Sequence, residues 1–94
     1  TQLGRHADEL AYRVRDIFRA AGYPMLFDSP TNQQFPILPD ADYEVLRNTS
    51  EGEFWARVDE SHSAIRFCTS WCTTKEAVDR LEAAVSALMQ AKEC

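Results

Sequence analysis

The residue best placed to do chemistry is Arg66, in the segment AIRFCTSW at positions 64–71. It stands between Ile65 and Phe67, so a guanidinium interrupts an otherwise apolar run with strand-like alternation. A guanidinium presents a planar fork that takes a carboxylate through two parallel hydrogen bonds. A strand is a stiff mount for such a clamp. The residues themselves leave two readings open. Arg66 can hold an anion in a pocket, or it can lie on a solvated face and pair loosely with Glu53 or Asp59, as surface ions commonly do.

The other reactive side chains are less well placed. A Schiff-base lysine needs a desolvated pocket that lowers its pKa. The chain has two lysines: Lys75 falls in the first turn of the last helical segment and Lys92 near the chain end. Both are expected to be solvated, which leaves no covalent amine catalyst. Cys68 shares an alternating face with Arg66, which would favour its thiolate, but the expected state is a buried, inert thiol. Cys68, Cys72 and Cys94 are an odd set with no CxxC, and the histidines are not spaced with them as zinc ligands. Free thiols in a reducing cytoplasm are expected. His62 falls in a hairpin connection and is expected to be exposed, while His6 lies on the first helix. Neither has a serine or cysteine partner in a triad pattern. There is no glycine-rich phosphate loop and no HExxH. Trp55 alternates onto the face of Arg57. Both it and Trp71 can pack in the core or await a covering surface.

The elements that must position these residues follow from periodicity. Leu3, Ala7, Leu10, Val14, Ile17, Phe18 and Ala21 recur at spacings of three and four, which predicts a helix. Gly22 suits its C′ position and Pro24 stops it. Residues 24–29 read as a short strand leading into the turn-forming PTNQ. Residues 34–38 read as a second strand, placed at a sheet edge by Pro36. Residues 39–49 read as a short helix with Asp40 as N-cap and Asn48 as stop. Residues 53–60 and 64–70 alternate and are joined by 61–63, which predicts an antiparallel hairpin. In the first run Phe54, Ala56 and Val58 share one face, and Trp55, Arg57 and Asp59 the other. Thr73 and Glu76 form a capping box before a last helix striped by Val78, Leu81, Val85, Leu88 and Met89. The order is α-β-β-α-β-β-α, a two-layer α/β sandwich with a small, mainly antiparallel sheet covered by helices.

Length fits one small domain spanning 1–94. A chain this size buries about 60–65% of its unfolded surface, enough to fold with little margin. Hydrophobic content of 45% with 11% aromatics indicates a globular core. A net charge of −5 argues against nucleic acid or an anionic membrane as partner. No apolar run approaches the roughly 18 residues of a membrane span, and no signal peptide is evident. Thr1 opens directly into the helical pattern, which leaves two expectations open: a trimmed chain, or a piece cut from a longer protein and entered partway along a helix.

Two segments, FDSPTNQQFPILPD (27–40) and IRFCTSWCTTKEAVDRLEAAV (65–85), with FWARVDE between them, resemble the C-terminal part of pyridoxal-phosphate enzymes of the threonine aldolase and β-eliminating lyase family. The resemblance covers almost the whole chain, in the expected order. Cys72 departs from it, standing where a small residue such as alanine is more usual. The resemblance implies the small C-terminal domain of a fold-type I enzyme. Residues 1–22 would then be the end of the helix that joins it to a large domain. It implies pyridoxal phosphate as cofactor, held with its Schiff-base lysine by that large domain, so that this piece alone should be inactive. It implies Arg66 as the residue binding the substrate α-carboxylate, with Thr69 and Ser70 as possible supports. It implies cleavage of a β-hydroxy amino acid to glycine and an aldehyde, in a cytoplasmic dimer or tetramer. The alternatives are a stand-alone ligand-binding or interaction module using Arg66, Arg57 and Trp55, or the small domain of another fold-type I enzyme such as an aminotransferase.

Overall fold

The three-and-four spacing at the start of the chain builds α1, Gln2–Ala20. The computed structural model describes residues 2–29, 31–47, 52–69 and 74–93, with backbone only for 2–7 and 93. Leu10, Val14, Ile17 and Phe18 are buried along one stripe of α1, while Asp16 and Arg19 face solvent. The helix closes in a Schellman motif. Gly22 has φ +92°, its amide donates to the Arg19 carbonyl at 3.0 Å, and the Tyr23 amide donates to the Phe18 carbonyl at 3.0 Å. The Tyr23 ring meets the Phe18 ring edge-on at 5.8 Å, the apolar contact that accompanies such an ending.

The remaining elements are β1 (Gln33–Gln34), β2 (Ile37–Pro39), α2 (Asp40–Leu46), β3 (Glu53–Arg57), β4 (His62–Cys68) and α3 (Lys75–Glu93). The expected α/β class is present, and the element order has the expected form, with β1 and β2 both falling in the run expected as the second strand. Strand β4 is central, with β3 antiparallel on one side and β1 and β2 antiparallel on the other. The pairs Gln34↔Phe67 and Ile37↔Ala64 belong to one register. Thus β1 and β2 are one extended stretch interrupted at Pro36, which has no N–H to donate. Its carbonyl still accepts from the Ile65 amide at 3.0 Å.

The strand expected over 24–29 is absent. It shrinks to one bridge, Met25↔Pro36, flanked by Leu26 N–H to the Phe35 carbonyl and Ile37 N–H to the Pro24 carbonyl, both 2.8 Å. Prolines at 24 and 30 bracket the run and leave few residues able to pair. These few nonetheless border the stretch carrying Pro36, so that proline is not at a bare edge.

Helices α1 and α3 cover one face of the sheet. Leu38, Ile65 and Phe67 meet Leu10, Val14, Phe18, Leu46, Val78, Leu81 and Val85 there, and Leu88 and Met89 pack against the margin. Gly52 is forced by this core. A Cβ at that position would lie 2.6 Å from Phe67 Cζ and 2.9 Å from Ile65 Cγ2. No described helix is long and apolar enough to cross a membrane.

Two helix starts differ from expectation. Asp40 is the first residue of α2 rather than its cap, and Pro39 holds the cap position without a side-chain bond. Pro39 presets the turn, while the Asp40 carboxylate is drawn to Arg57 and Ser63. At α3 the cap is Thr74, whose hydroxyl accepts from the Ala77 amide at 3.1 Å. Thr73 and Asn48 lie outside the described residues.

Candidate functional site

Alternation along β4 sends Ile65 and Phe67 into the core and Arg66 to the opposite face, which no described helix covers. The central position of β4 makes that mount rigid. Across β3 the register pairs Glu53 with Arg66, and Arg66 Nη2 donates to Glu53 Oε2. The two side chains are 32% and 66% exposed. An ion pair that open contributes only about 0–1 kcal/mol to stability.

A row of aromatic rings begins at this guanidinium. The Arg66 Cζ lies 5.4 Å from the centroid of the Trp55 ring, within cation–π range. Trp55 packs on Phe35 at 5.2 Å, and Phe35 packs on Phe27 at 4.8 Å. The common register of β1 and β2 sets Phe35 opposite Arg66 on the other neighbouring strand. Phe35 is 4% exposed, whereas Trp55 and Phe27 are each 49% exposed. A row of tilted aromatic contacts that begins at a cation therefore has both its outer rings half exposed, the usual mark of a surface that meets another.

The register of β3 shifts between Phe54 and Ala56, with Trp55 as the extra residue. Strict alternation fails there, which corrects the expected faces. Phe54 pairs with Ile65 and Arg57 with Ser63, so both belong to the side that carries the core. Glu53 and Ala56 belong to the Arg66 side. Arg57 thus parts from Trp55 and Arg66. Its Nη1 and Nη2 donate to the Asp40 carboxylate at 3.2 and 3.5 Å, and Nη1 also reaches the carbonyls of Asp59 and Glu60. It ties the hairpin turn to the start of α2 and takes no part in the aromatic patch.

Cys68 lies on the Arg66 side and is exposed, not buried as expected, because β4 is bare there and its end meets only β1. Its thiol is 3.7 Å from Asn32 Nδ2. Thr69 is buried and braced. Its amide and hydroxyl donate to the Asn32 carbonyl at 2.9 and 3.3 Å, and Asn32 Nδ2 donates to the Thr69 carbonyl. Ser70, Trp71, Cys72 and Cys94 lie outside the described residues, as does the side chain of His6.

His62 opens β4 instead of the turn. Its Nδ1 is 2.9 Å from Asp59 Oδ1. The Asp59 carboxyl is held below its usual range, first by the Ser61 amide and then by His62. Lys75 is exposed at the start of α3. Lys92 is not simply solvated: its Nζ reaches Asp42 Oδ2, a carboxylate buried under α3. Among the described residues no cluster of His, Cys, Asp or Glu is arranged to hold a metal ion.

The sequence reading singled out Arg66 and Trp55, and the fold brings them together. It missed Phe27 and Phe35. The clue for Phe35 was parity, since a strand burying Gln34 and Leu38 must turn position 35 outward.

Three helices and a small antiparallel sheet, with an arginine beside a tryptophan on the face opposite the core, define an α/β domain. No family model and no curated protein matches the sequence. Among solved structures, the chain is similar to threonine aldolase from Leishmania major, with a TM-score of 0.89 and 26% identity over 94% of this chain. The fold is that of a small domain of a threonine aldolase-like enzyme. The chain spans 26% of the length of that aldolase.

Proposed function

We propose that this chain is the small C-terminal domain of a pyridoxal-phosphate lyase acting on amino acids in the manner of a threonine aldolase, and that Arg66 takes the substrate α-carboxylate. The observation that carries the reading is the placement of Arg66: on the central strand, on the bare face, beside an exposed tryptophan. A guanidinium so mounted keeps a fixed direction, which bidentate capture of a carboxylate requires.

The cofactor fits elsewhere. A Schiff base needs a desolvated amine. Lys75 is exposed, and Lys92 is engaged with Asp42 and with the Tyr23 ring at 5.7 Å. On this reading pyridoxal phosphate is bound mainly by a larger domain that carries the Schiff-base lysine, and it supplies the electron sink. The part left to this chain is orientation. Fixing the carboxylate fixes the rotation about the substrate's Cα, and with it the bond that is presented for cleavage. For a β-hydroxy amino acid that bond is Cα–Cβ, and the products are glycine and an aldehyde.

On the same reading residues 1–22 end the helix that joins the two domains, and the enzyme is a cytoplasmic homo-oligomer. The test is Arg66→Lys in the full-length protein, with L-threonine as substrate. An ammonium keeps the charge and loses the fork. KM is expected to rise about 10- to 100-fold, the worth of a charge-assisted hydrogen bond. An unchanged KM and kcat would overturn the assignment.

A further inference from the structure

Glu53 stands directly across β3 from Arg66 and accepts a hydrogen bond from its Nη2. Exposed ion pairs contribute little to stability, so the fold does not depend on this contact. Its effect is on the guanidinium. We propose that Glu53 is the positioning residue of the Arg66 clamp, holding one N–H so that a two-donor edge is presented to an incoming carboxylate. The proposal rests on the carboxylate role of Arg66 given above.

The reasoning is geometric. A guanidinium has five N–H donors in a plane. Nη2 carries two hydrogens, one beside Nε–H and one beside Nη1–H. Whichever of these Glu53 takes, the other stays paired with its neighbour as an intact two-donor edge. Among the described residues Arg66 makes no other hydrogen bond. The Arg66 Cζ lies over the Trp55 ring, 5.4 Å from its centroid, and Phe35 packs on Trp55 at 5.2 Å. The group is thus held by one hydrogen bond and packed beside one ring. Rotation about its last bonds is restrained before any ligand arrives, which reduces the ordering cost of binding.

Glu53 also brings a negative charge near the place a carboxylate must enter. Acceptor and charge can be separated by substitution. Glu53→Gln keeps an acceptor oxygen and removes the charge, whereas Glu53→Ala removes both. In the full-length enzyme with L-threonine, Glu53→Ala is expected to raise KM about tenfold. Glu53→Gln is expected to keep kcat within about twofold of the parent, with KM equal or lower. Glycine used as a competitive inhibitor reads the same clamp without turnover, and its inhibition constant should follow the KM pattern.

Urea midpoints of both variants should match the parent, which separates positioning from folding. Parent-like KM and glycine inhibition in Glu53→Ala would overturn the proposal. So would a Gln variant as impaired as the Ala variant. If Arg66→Lys leaves KM unchanged, the carboxylate role itself falls. If Arg66→Lys raises KM and Glu53→Ala does not, only the positioning role falls.

Discussion

The Tyr23 hydroxyl donates to Asp42 Oδ2 at 2.6 Å, beneath the last turns of α3, where Lys92 reaches the same oxygen. Asp42 is 4% exposed. The contact joins the turn after α1, the body of α2 and the end of α3. Removing one member of a buried, hydrogen-bonded charge group leaves its partners desolvated and unpaired. Asp42→Ala is expected to lower stability by about 2–4 kcal/mol and Tyr23→Phe by about 1–2 kcal/mol. Urea unfolding of each variant checks both values.

The same contact gives a pH dependence with a definite sign. Burial, then the hydrogen bond to Asp42, push the Tyr23 phenol well above its ordinary range. A raised pKa stabilises the folded state below the unfolded value near ~10, and that stability is lost as pH climbs toward the folded value. The melting temperature should therefore fall above about pH 10. In Tyr23→Phe this alkaline loss should be smaller. An equal loss in both proteins would remove Tyr23 as its source.

Gly52→Ala tests the tightness of the core beside β4. The added methyl would press on the Phe67 ring and on Ile65, both buried. Overpacking of this kind costs about 1–3 kcal/mol. Phe67→Leu in the same chain removes the nearest ring atoms and should relieve part of the strain. A double-mutant cycle in urea measures the coupling.

The two arginines of the hairpin should separate cleanly. Arg57→Ala removes exposed bonds to Asp40 and to two turn carbonyls, so its expected effect is a stability loss of about 0.5–1 kcal/mol with KM unchanged. Arg66→Ala should do the reverse, raising KM while leaving the urea midpoint nearly in place, since its pair with Glu53 is open to solvent. Parallel kinetics and unfolding of the two variants decide the matter.

Thr74→Ala should cost α3 about 1 kcal/mol by freeing the Ala77 amide, and Thr74→Ser should restore most of it. Thermal melts of the two variants provide the comparison.

The helices were legible because one physical signal dominates them. The stripe through Leu10, Val14, Ile17 and Phe18, and the one through Val78, Leu81 and Val85, are the buried residues of α1 and α3. Gly22 was legible for a different reason, since only a residue without Cβ adopts its φ at no cost. Arg66 was recognisable as a polar intruder in an apolar strand. What local pattern could not carry was pairing at a distance. Phe27 joins the patch through Phe35, and the run around it keeps only one bridge. Asp42 carries no local sign that Tyr23, 19 residues before it, and Lys92, 50 residues after it, converge on its carboxylate. Choosing between Thr73 and Thr74 as cap turns on a single residue of chain direction, which spacing alone does not resolve.

The irregularity at Trp55 sets the electrostatic sign of the bare face. Paired onward from Glu53↔Arg66 without the bulge, the same residues would bring Arg57 opposite His62, on the same side as Arg66. That side would then carry two guanidinium groups, and Asp40 would be left with the Ser63 hydroxyl. Absorbing Trp55 as the extra residue instead leaves Arg66 balanced by Glu53 and sends the second positive charge to the hairpin's far side. The same strand paired without its bulge would thus change the charge of the outer face without changing the charge of the protein.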